Sequence, residues 1–245
     1  ALPICILNQV TPYNTEAGKK KEVEEMFDNI APKYDLLNHV LSMKIDVLWR
    51  NTLVKWMNKD EPKEVLDVAT GTADLAIAVQ KETGAKVIGL DLSQLMLNVG
   101  IDKIKKLKLD DQISMEKGDA ENLRFESNKF DSVCVAFGVR NFENLEAGLA
   151  ELRRVVKENK SVYILEFSKV EGFLGPFYQF YFKNILPQIG RLVSKDNRAY
   201  TYLPDSVNAF PYGDKMKNIL LNIGFKSVEF KKLSFGIATI YKATK

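Results

Sequence analysis

From Glu64 onward the chain alternates short β-like runs with longer helix-like runs, which confines it to a mostly parallel sheet with helices on both faces. EVLDVA, KVIGLD, QISMEK, FDSVCVAF and SVYILEF read as the first five strands. The segments at about 73–82, 94–108 and 143–157 carry helical periodicity between them. The last is the clearest, with Leu145, Leu149, Leu152, Val155 and Val156 forming one apolar stripe and the charges lying elsewhere. A helix near 213–222 follows, then strands at about 225–232 and 236–242. The short link Leu233–Phe235 makes those two strands a terminal antiparallel hairpin. One reversed strand in an otherwise parallel sheet departs from the simplest dinucleotide-binding architecture.

Ahead of the sheet, residues 19–58 read as two or three helices, and Asp46 to Met57 carries Val47, Leu48, Leu53, Val54, Trp56 and Met57. Between the fifth strand and the helix near 213 lie the aromatic-rich FLGPFYQFYFKNILPQIG and then RLVSKDNRAYTYLPDSVNAFP. Sheets of this kind bind ligands at the C-terminal ends of their strands, so both segments are expected to cover a site there. The 245 residues read as one domain: 1–60 a helical cover, 61–169 a cofactor-binding core, 170–211 a substrate-side insertion, and 212–245 a C-terminal helix and hairpin.

Composition narrows the chemistry. Cys5 and Cys134 are too few for a disulfide framework, and with His39 as the sole histidine no Cys/His zinc site can be assembled, so no metal is expected. A nucleophilic triad would have only His39 as its base. The net charge of +3 is too small to imply nucleic-acid binding. No run approaches the roughly 20 apolar residues of a membrane span, and no signal-peptide pattern opens the chain, which makes the cytoplasm the expected compartment. Lys19–Lys21 and Lys103, Lys105, Lys106 and Lys108 are local basic clusters, read either as solvated helix surface or as contacts to anionic lipid on the inner face of the membrane.

The segment Asp67-Val-Ala-Thr-Gly71-Thr72-Ala-Asp74 sits where the first strand turns into the first helix of the sheet. Gly71 lets the backbone approach a ligand, Thr72 can hydrogen-bond it, and the helix N-terminus favours a carboxylate. Asp91, with Leu92 beside it, ends the second strand where an acidic side chain can accept both ribose hydroxyls. A pyrophosphate site wants G-x-G-x-x-G, whereas this chain offers Ala69, Gly71 and Asp74. The acids Asp67 and Asp74 suit a cation, and the sulfonium and α-ammonium groups of S-adenosyl-L-methionine supply one. Asp119 ends the third strand in position to meet an adenine amino group, and Ala120 leaves room for the ring. Ala136, Phe137, Arg140 and Asn141 end the fourth strand, aimed at the same crevice.

With these residues in view, the sequence resembles the ubiquinone/menaquinone biosynthesis C-methyltransferase family, most closely its demethylmenaquinone methyltransferases. The matching segments are VEEMFDNIAPKYDLLNHVLS at 23–42, LDVATGTADLA at 66–76, FGVRN at 137–141, LEFSK at 165–169 and YTYLPDSVNAFP at 200–211. The resemblance implies an α/β class I S-adenosylmethionine-dependent methyltransferase: a Rossmann-like seven-stranded sheet, last strand antiparallel, under an N-terminal helical lid. It implies cofactor contacts from Thr72, Asp91, Asp119, Ala120 and Ala136. The chain departs from the family pattern at Lys44 and Val47, where relatives carry glycine and arginine, and at VKENK 156–160, where they read LKPGG.

The implied reaction is C-methylation of a polyprenylated quinol, demethylmenaquinol to menaquinol first and a ubiquinone-pathway benzoquinol or another lipid or small-molecule acceptor as alternatives. A quinol carbon is nucleophilic when a ring hydroxyl ionises, and a phenol pKa near ~10 makes that unfavourable at neutral pH. Arg140, oriented by Asn141, is the candidate to stabilise the phenolate, and Asp119, directly or through water, the candidate base. Tyr200, Tyr202 and Phe137 are candidates to hold the ring, and the aromatic run 173–182 to hold the tail or to pack as core. Peripheral membrane contact and a homodimer complete the expectations. A nicotinamide-dependent oxidoreductase is disfavoured by the missing glycines, and a non-catalytic carrier by the joint presence of Arg140, Asn141 and Asp119.

Overall fold

A computed structural model describes residues 10–42, 44–170 and 198–245. Three helices come first: α1 (Lys19–Ile30), α2 (Tyr34–Leu41) and α3 (Ile45–Asn58), with a 3₁₀ turn at Ala31–Lys33 between the first two. The core then runs β1 (Glu64–Val68), α4 (Asp74–Thr83), β2 (Lys86–Asp91), α5 (Gln94–Lys106), β3 (Ile113–Lys117), β4 (Phe130–Ala136), α6 (Leu145–Val155) and β5 (Val156–Phe167). Among the described residues it closes with α7 (Arg198–Ala209), α8 (Asp214–Ile223), β6 (Ser227–Leu233) and β7 (Ala238–Thr244).

The seven strands order as β3-β2-β1-β4-β5-β7-β6, and β7 pairs antiparallel with both β5 and β6. The reversed strand expected from the hairpin is therefore β7. Its pairing lies about two residues later than the sequence suggests, with Ser234 to Ile237 as the link. Alternation through the strands sorts two apolar layers. Leu66, Val68, Val133, Val135, Val162 and Ile164 face one side, where the α6 stripe Leu145, Leu149, Leu152 and Val155 is fully buried against them. Val65, Cys134, Tyr163 and Leu165 face the other side, under α3 and α4. Asn144 caps α6 by accepting from the Ala147 N–H, and Ser93 caps α5 by accepting from the Met96 N–H.

One expectation is corrected. The helix expected to reach about residue 157 stops at Val155, and VKENK, which stands where relatives read LKPGG, is already strand. Its extra residues are absorbed as a bulge: the β4–β5 register jumps from Phe130↔Val156 to Ser132↔Ser161, and Asn159 takes φ 59. YTYLPDSVNAFP, read from sequence only as part of the substrate-side insertion, is helical as far as Ala209 in α7, with Pro204 in its interior. Proline removes one backbone donor and argues against helix from sequence alone. Lys44 adopts φ 62, so the position where relatives carry glycine keeps a left-handed backbone here without one.

Candidate active site

The sheet's C-terminal edge and α1 line a cleft that opens to solvent. Asp91, Leu92, Asp119, Ala120, Ala136 and Phe137 line it, with Gly71 and Asn141. Asp91 is the best-held of these. Its Oδ2 accepts from the Gly71 N–H at 2.8 Å and its Oδ1 from the Ser93 N–H at 2.9 Å. Burial pushes the Asp91 pKa up to about 6, against the pull of those backbone donors. Gly71 has φ 56, and a Cβ there would stand 3.2 Å from the Met96 methyl, so the turn admits no larger residue without movement.

A second recess shares Tyr34, Ala69, Gly71, Ala136 and Phe137 with the first and adds Arg50, Asp67, Thr72 and Asp74. Asp67 is sealed: its Oδ2 accepts from the Thr70 hydroxyl at 2.6 Å, and the Cys134 thiol lies 3.6 Å from Oδ1. Burial raises its pKa to about 7, with Asp91 adding repulsion and the Thr70 and Cys134 donors opposing. Asp74 is not the spare acid the sequence suggests. It pairs with Arg50 at 3.2 Å and with Lys103, while Arg50 also holds Asp46 at 2.6 Å. Thr72 donates to Asp35 at 2.5 Å and lies in this recess rather than in the main cleft. The recess thus holds a guanidinium and several carboxylates that are paired with one another, pairs that a zwitterion would exchange for its own carboxylate and ammonium. Together the two compartments fit S-adenosyl-L-methionine: a diol acceptor at Asp91, an acid and a small residue at Asp119 and Ala120, and mixed charge at the other end.

Asp119 is engaged rather than open. Lys20 of α1 donates to its Oδ2 at 2.7 Å, and the Glu121 N–H donates to Oδ1 at 2.9 Å. Arg140 is 7% exposed and does not line the main cleft. Its Nη1 donates to the Phe137 carbonyl at 2.5 Å and to Glu166 Oε1 at 2.7 Å, and its charge stands 5.5 Å from the Phe167 ring centre. Its Nε–H is buried without a partner. Glu166 is wholly buried, and burial raises its pKa against the lowering by Arg140. Asn141 donates to the same Phe137 carbonyl at 3.4 Å and accepts from the Tyr202 hydroxyl at 3.1 Å. Phe137 itself turns the chain with φ 58 and stacks on Phe167 with ring centres 4.6 Å apart.

Tyr202 is 3% exposed and packs with Val23, Met26 and Ile30 of α1. Tyr200 lies in α7, but its side chain, like the aromatic run 173–182, falls outside the described residues. The sequence offers no site role for several wall residues, Val23, Phe27 and Tyr34 from the helical cover and Met96 from α5, and Lys20 of the basic cluster Lys19–Lys21 lines the cleft rather than only the surface. Glu166 is the clearest omission with a readable signal. An acid inside SVYILEF, a run buried on both faces, must have a cationic partner.

The model of the ubiE/COQ5 methyltransferase family matches residues 14–245. A protein of Bacteroides fragilis named demethylmenaquinone methyltransferase is 45% identical over 97% of this chain and 98% of its own. A Geobacter sulfurreducens protein named ubiquinone/menaquinone biosynthesis C-methyltransferase UbiE is 40% identical over 98% of this chain and 94% of its own. Among solved structures, a putative S-adenosyl-L-methionine-dependent methyltransferase of Methanococcus maripaludis superposes with a TM-score of 0.60 at 20% identity, covering 92% of this chain and 93% of that one. That likeness speaks to the fold alone.

Proposed function

The chain belongs to the ubiE/COQ5 methyltransferase family, and from that premise we propose that it methylates a ring carbon of a polyprenylated quinol, with demethylmenaquinol as the first acceptor. The methyl donor is S-adenosyl-L-methionine. The observation that carries the donor is Asp91, its carboxylate presented to the cleft by two backbone N–H groups beside a turn that lacks the pyrophosphate glycines. The acceptor comes from the relatives' names and from the apolar wall of Phe137, Phe27 and Val23.

When bound, S-adenosyl-L-methionine supplies an electrophilic methyl group on a sulfonium. The protein's part is to make the acceptor carbon nucleophilic and to receive its proton. Arg140 is assigned to the ionising ring oxygen because its Nε–H is a buried donor with no partner, and such a donor is satisfied best where negative charge develops. Asn141 steadies it through the shared Phe137 carbonyl. Asp119 is assigned as proton acceptor, which requires Lys20 to leave it. Tyr202, and Tyr200 beside it in α7, are assigned to the ring. Residues 1–60 act as the cover and 61–169 as the cofactor core. No helix among the described residues is long and apolar enough to cross a membrane; the lipid tail of the acceptor is the ground for assigning the protein peripheral contact with the inner face of the bilayer.

Incubation with labelled S-adenosyl-L-methionine and either a demethylnaphthoquinol or a demethylbenzoquinol tests the reading. Label transferred to the naphthoquinol ring is the expected result. Transfer to neither head group, with the cofactor bound, would sink the quinol assignment and favour another acceptor.

A further inference from the structure

The link between β6 and β7 carries Phe235, which is 85% exposed and has a left-handed backbone, φ 58. An aromatic side chain is disfavoured in that conformation, and a large apolar group is disfavoured in water, so water supplies neither requirement. Both β5 and β6 are antiparallel to β7, so β6 ends at the same edge of the sheet as β5 and the cleft. The tip is fixed there. The Trp49 indole N–H donates to the Ser234 hydroxyl at 2.8 Å and ties the link to α3. The Trp49 ring in turn meets Phe167 at 6.1 Å and Phe137 at 6.2 Å between centres, and Phe137 is cleft wall. An unbroken set of aromatic contacts leads from the tip's anchor to the cleft.

The surroundings carry the matching signals. Leu48, next to Trp49 on α3, is 64% exposed. Lys231 is exposed at the end of β6, opposite the apolar Ile240 of β7. Lys44 is exposed at the start of α3. Exposed apolar side chains rimmed by lysine match the interface of an anionic bilayer, where apolar groups enter the acyl boundary and cations meet the headgroups.

We propose that the Ser234–Gly236 tip with Leu48 is the face on which this protein docks to an anionic lipid surface, Phe235 entering the bilayer. Lys44 and Lys231 hold the headgroups. The Trp49, Phe167 and Phe137 rings then form the apolar path by which a lipid-tailed acceptor leaves the bilayer for the cleft. This last step rests on the quinol reading, whereas the docking does not.

The test is co-sedimentation of the full chain with vesicles of phosphatidylcholine alone and of equal parts phosphatidylcholine and phosphatidylglycerol. Phe235→Gly suits the backbone at that position, and Leu48→Gln keeps a helix-forming residue, so both variants should fold. Wild type is expected to prefer the anionic vesicles, and Phe235→Gly to weaken that binding about tenfold, the effect of one large side chain no longer buried. Turnover of a tailed quinol in those vesicles should fall in step, while turnover of a tailless quinol in buffer stays at the wild-type level. Unchanged vesicle binding in both variants overturns the proposal. So does light scattering that finds a wild-type dimer dissociated by Phe235→Gly, since the face would then belong to a second copy. Phe235-dependent binding without methylation of any quinol leaves the docking standing and removes the quinol reading instead.

Discussion

Two ion pairs of equal length stand at the same end of the sheet, Arg140–Glu166 and Lys20–Asp119, each 2.7 Å. Their surroundings differ: the first pair's side chains are 8% and 0% exposed, the second pair's 33% and 28%. Distance alone would rank them equal. A sealed pair has given up its water and has no substitute partner, so losing one member strands a charge. A half-exposed pair exchanges with water at little cost. The first pair is accordingly suited to being frame, fixing the Phe137 carbonyl and the end of β4, and the second to being a latch that ligand binding displaces.

The largest expected effect comes from stranding the buried charge. Glu166→Ala leaves Arg140 without its counter-ion and should destabilise the fold by about 3–5 kcal/mol, measured by urea unfolding. Glu166→Gln keeps an acceptor of the same shape and should cost less. A loss below about 1 kcal/mol in the alanine variant, the scale of a surface pair, would erase the distinction between the two pairs.

Next in size is Arg140→Lys, which keeps the charge but loses the planar fork of donors. Turnover should fall roughly 10²-fold while cofactor affinity measured by calorimetry changes little. Parallel loss of cofactor binding and turnover would instead make Arg140 a part of the cofactor wall.

The third effect separates Asp91 from both pairs, because backbone donors hold it and no cation does. Asp91→Ala should weaken S-adenosyl-L-methionine binding by about 1.5–3 kcal/mol. An acid whose folded pKa is raised, here from 3.8 to about 6, gains protons on folding. Its protonation therefore favours the fold as pH falls through about 6, and the same protonation takes away the acceptor that a diol needs. Affinity should weaken from pH 7 to pH 5 in the wild type and stay flatter in Asp91→Asn. Asp67, raised to about 7 partly by repulsion from Asp91, titrates lower in that variant, so Asp67→Asn measured alongside isolates the Asp91 share.

How far these roles were legible in the sequence follows from what each depends on. Asp91 and Gly71 could be placed because a strand-to-helix turn and a strand end fix their positions through backbone geometry. The α6 stripe could be read because a 3.6-residue period needs no tertiary context. Arg140 could be placed at the end of β4, but not turned toward Glu166, since that pairing joins residues 26 apart across two strands. The Lys20–Asp119 contact spans 99 positions and depends on how α1 docks, which no local pattern encodes. The helix through Pro204 was hidden for a different reason: the local penalty is real, and tertiary packing of Tyr202, Val207 and Phe210 outweighs it.

The smallest expected effect belongs to the latch, and its smallness is what tests the comparison. Lys20→Met keeps the apolar stem on the cleft wall and removes only the charge, so stability should change by less than about 1 kcal/mol. Cofactor binding should respond in the opposite sense from the other variants. A ligand group approaching Asp119 must displace Lys20 in the wild type, and without that competitor affinity should hold or tighten slightly. Salt gives an independent reading, since a pair this exposed is screened within a Debye length of about 8 Å at physiological ionic strength. Raising salt should therefore favour cofactor binding in the wild type and have a weaker effect in Lys20→Met. If Lys20→Met instead destabilises the protein as much as Glu166→Ala, or abolishes cofactor binding, Lys20 is part of the frame. Exposure would then not be what separates the two pairs.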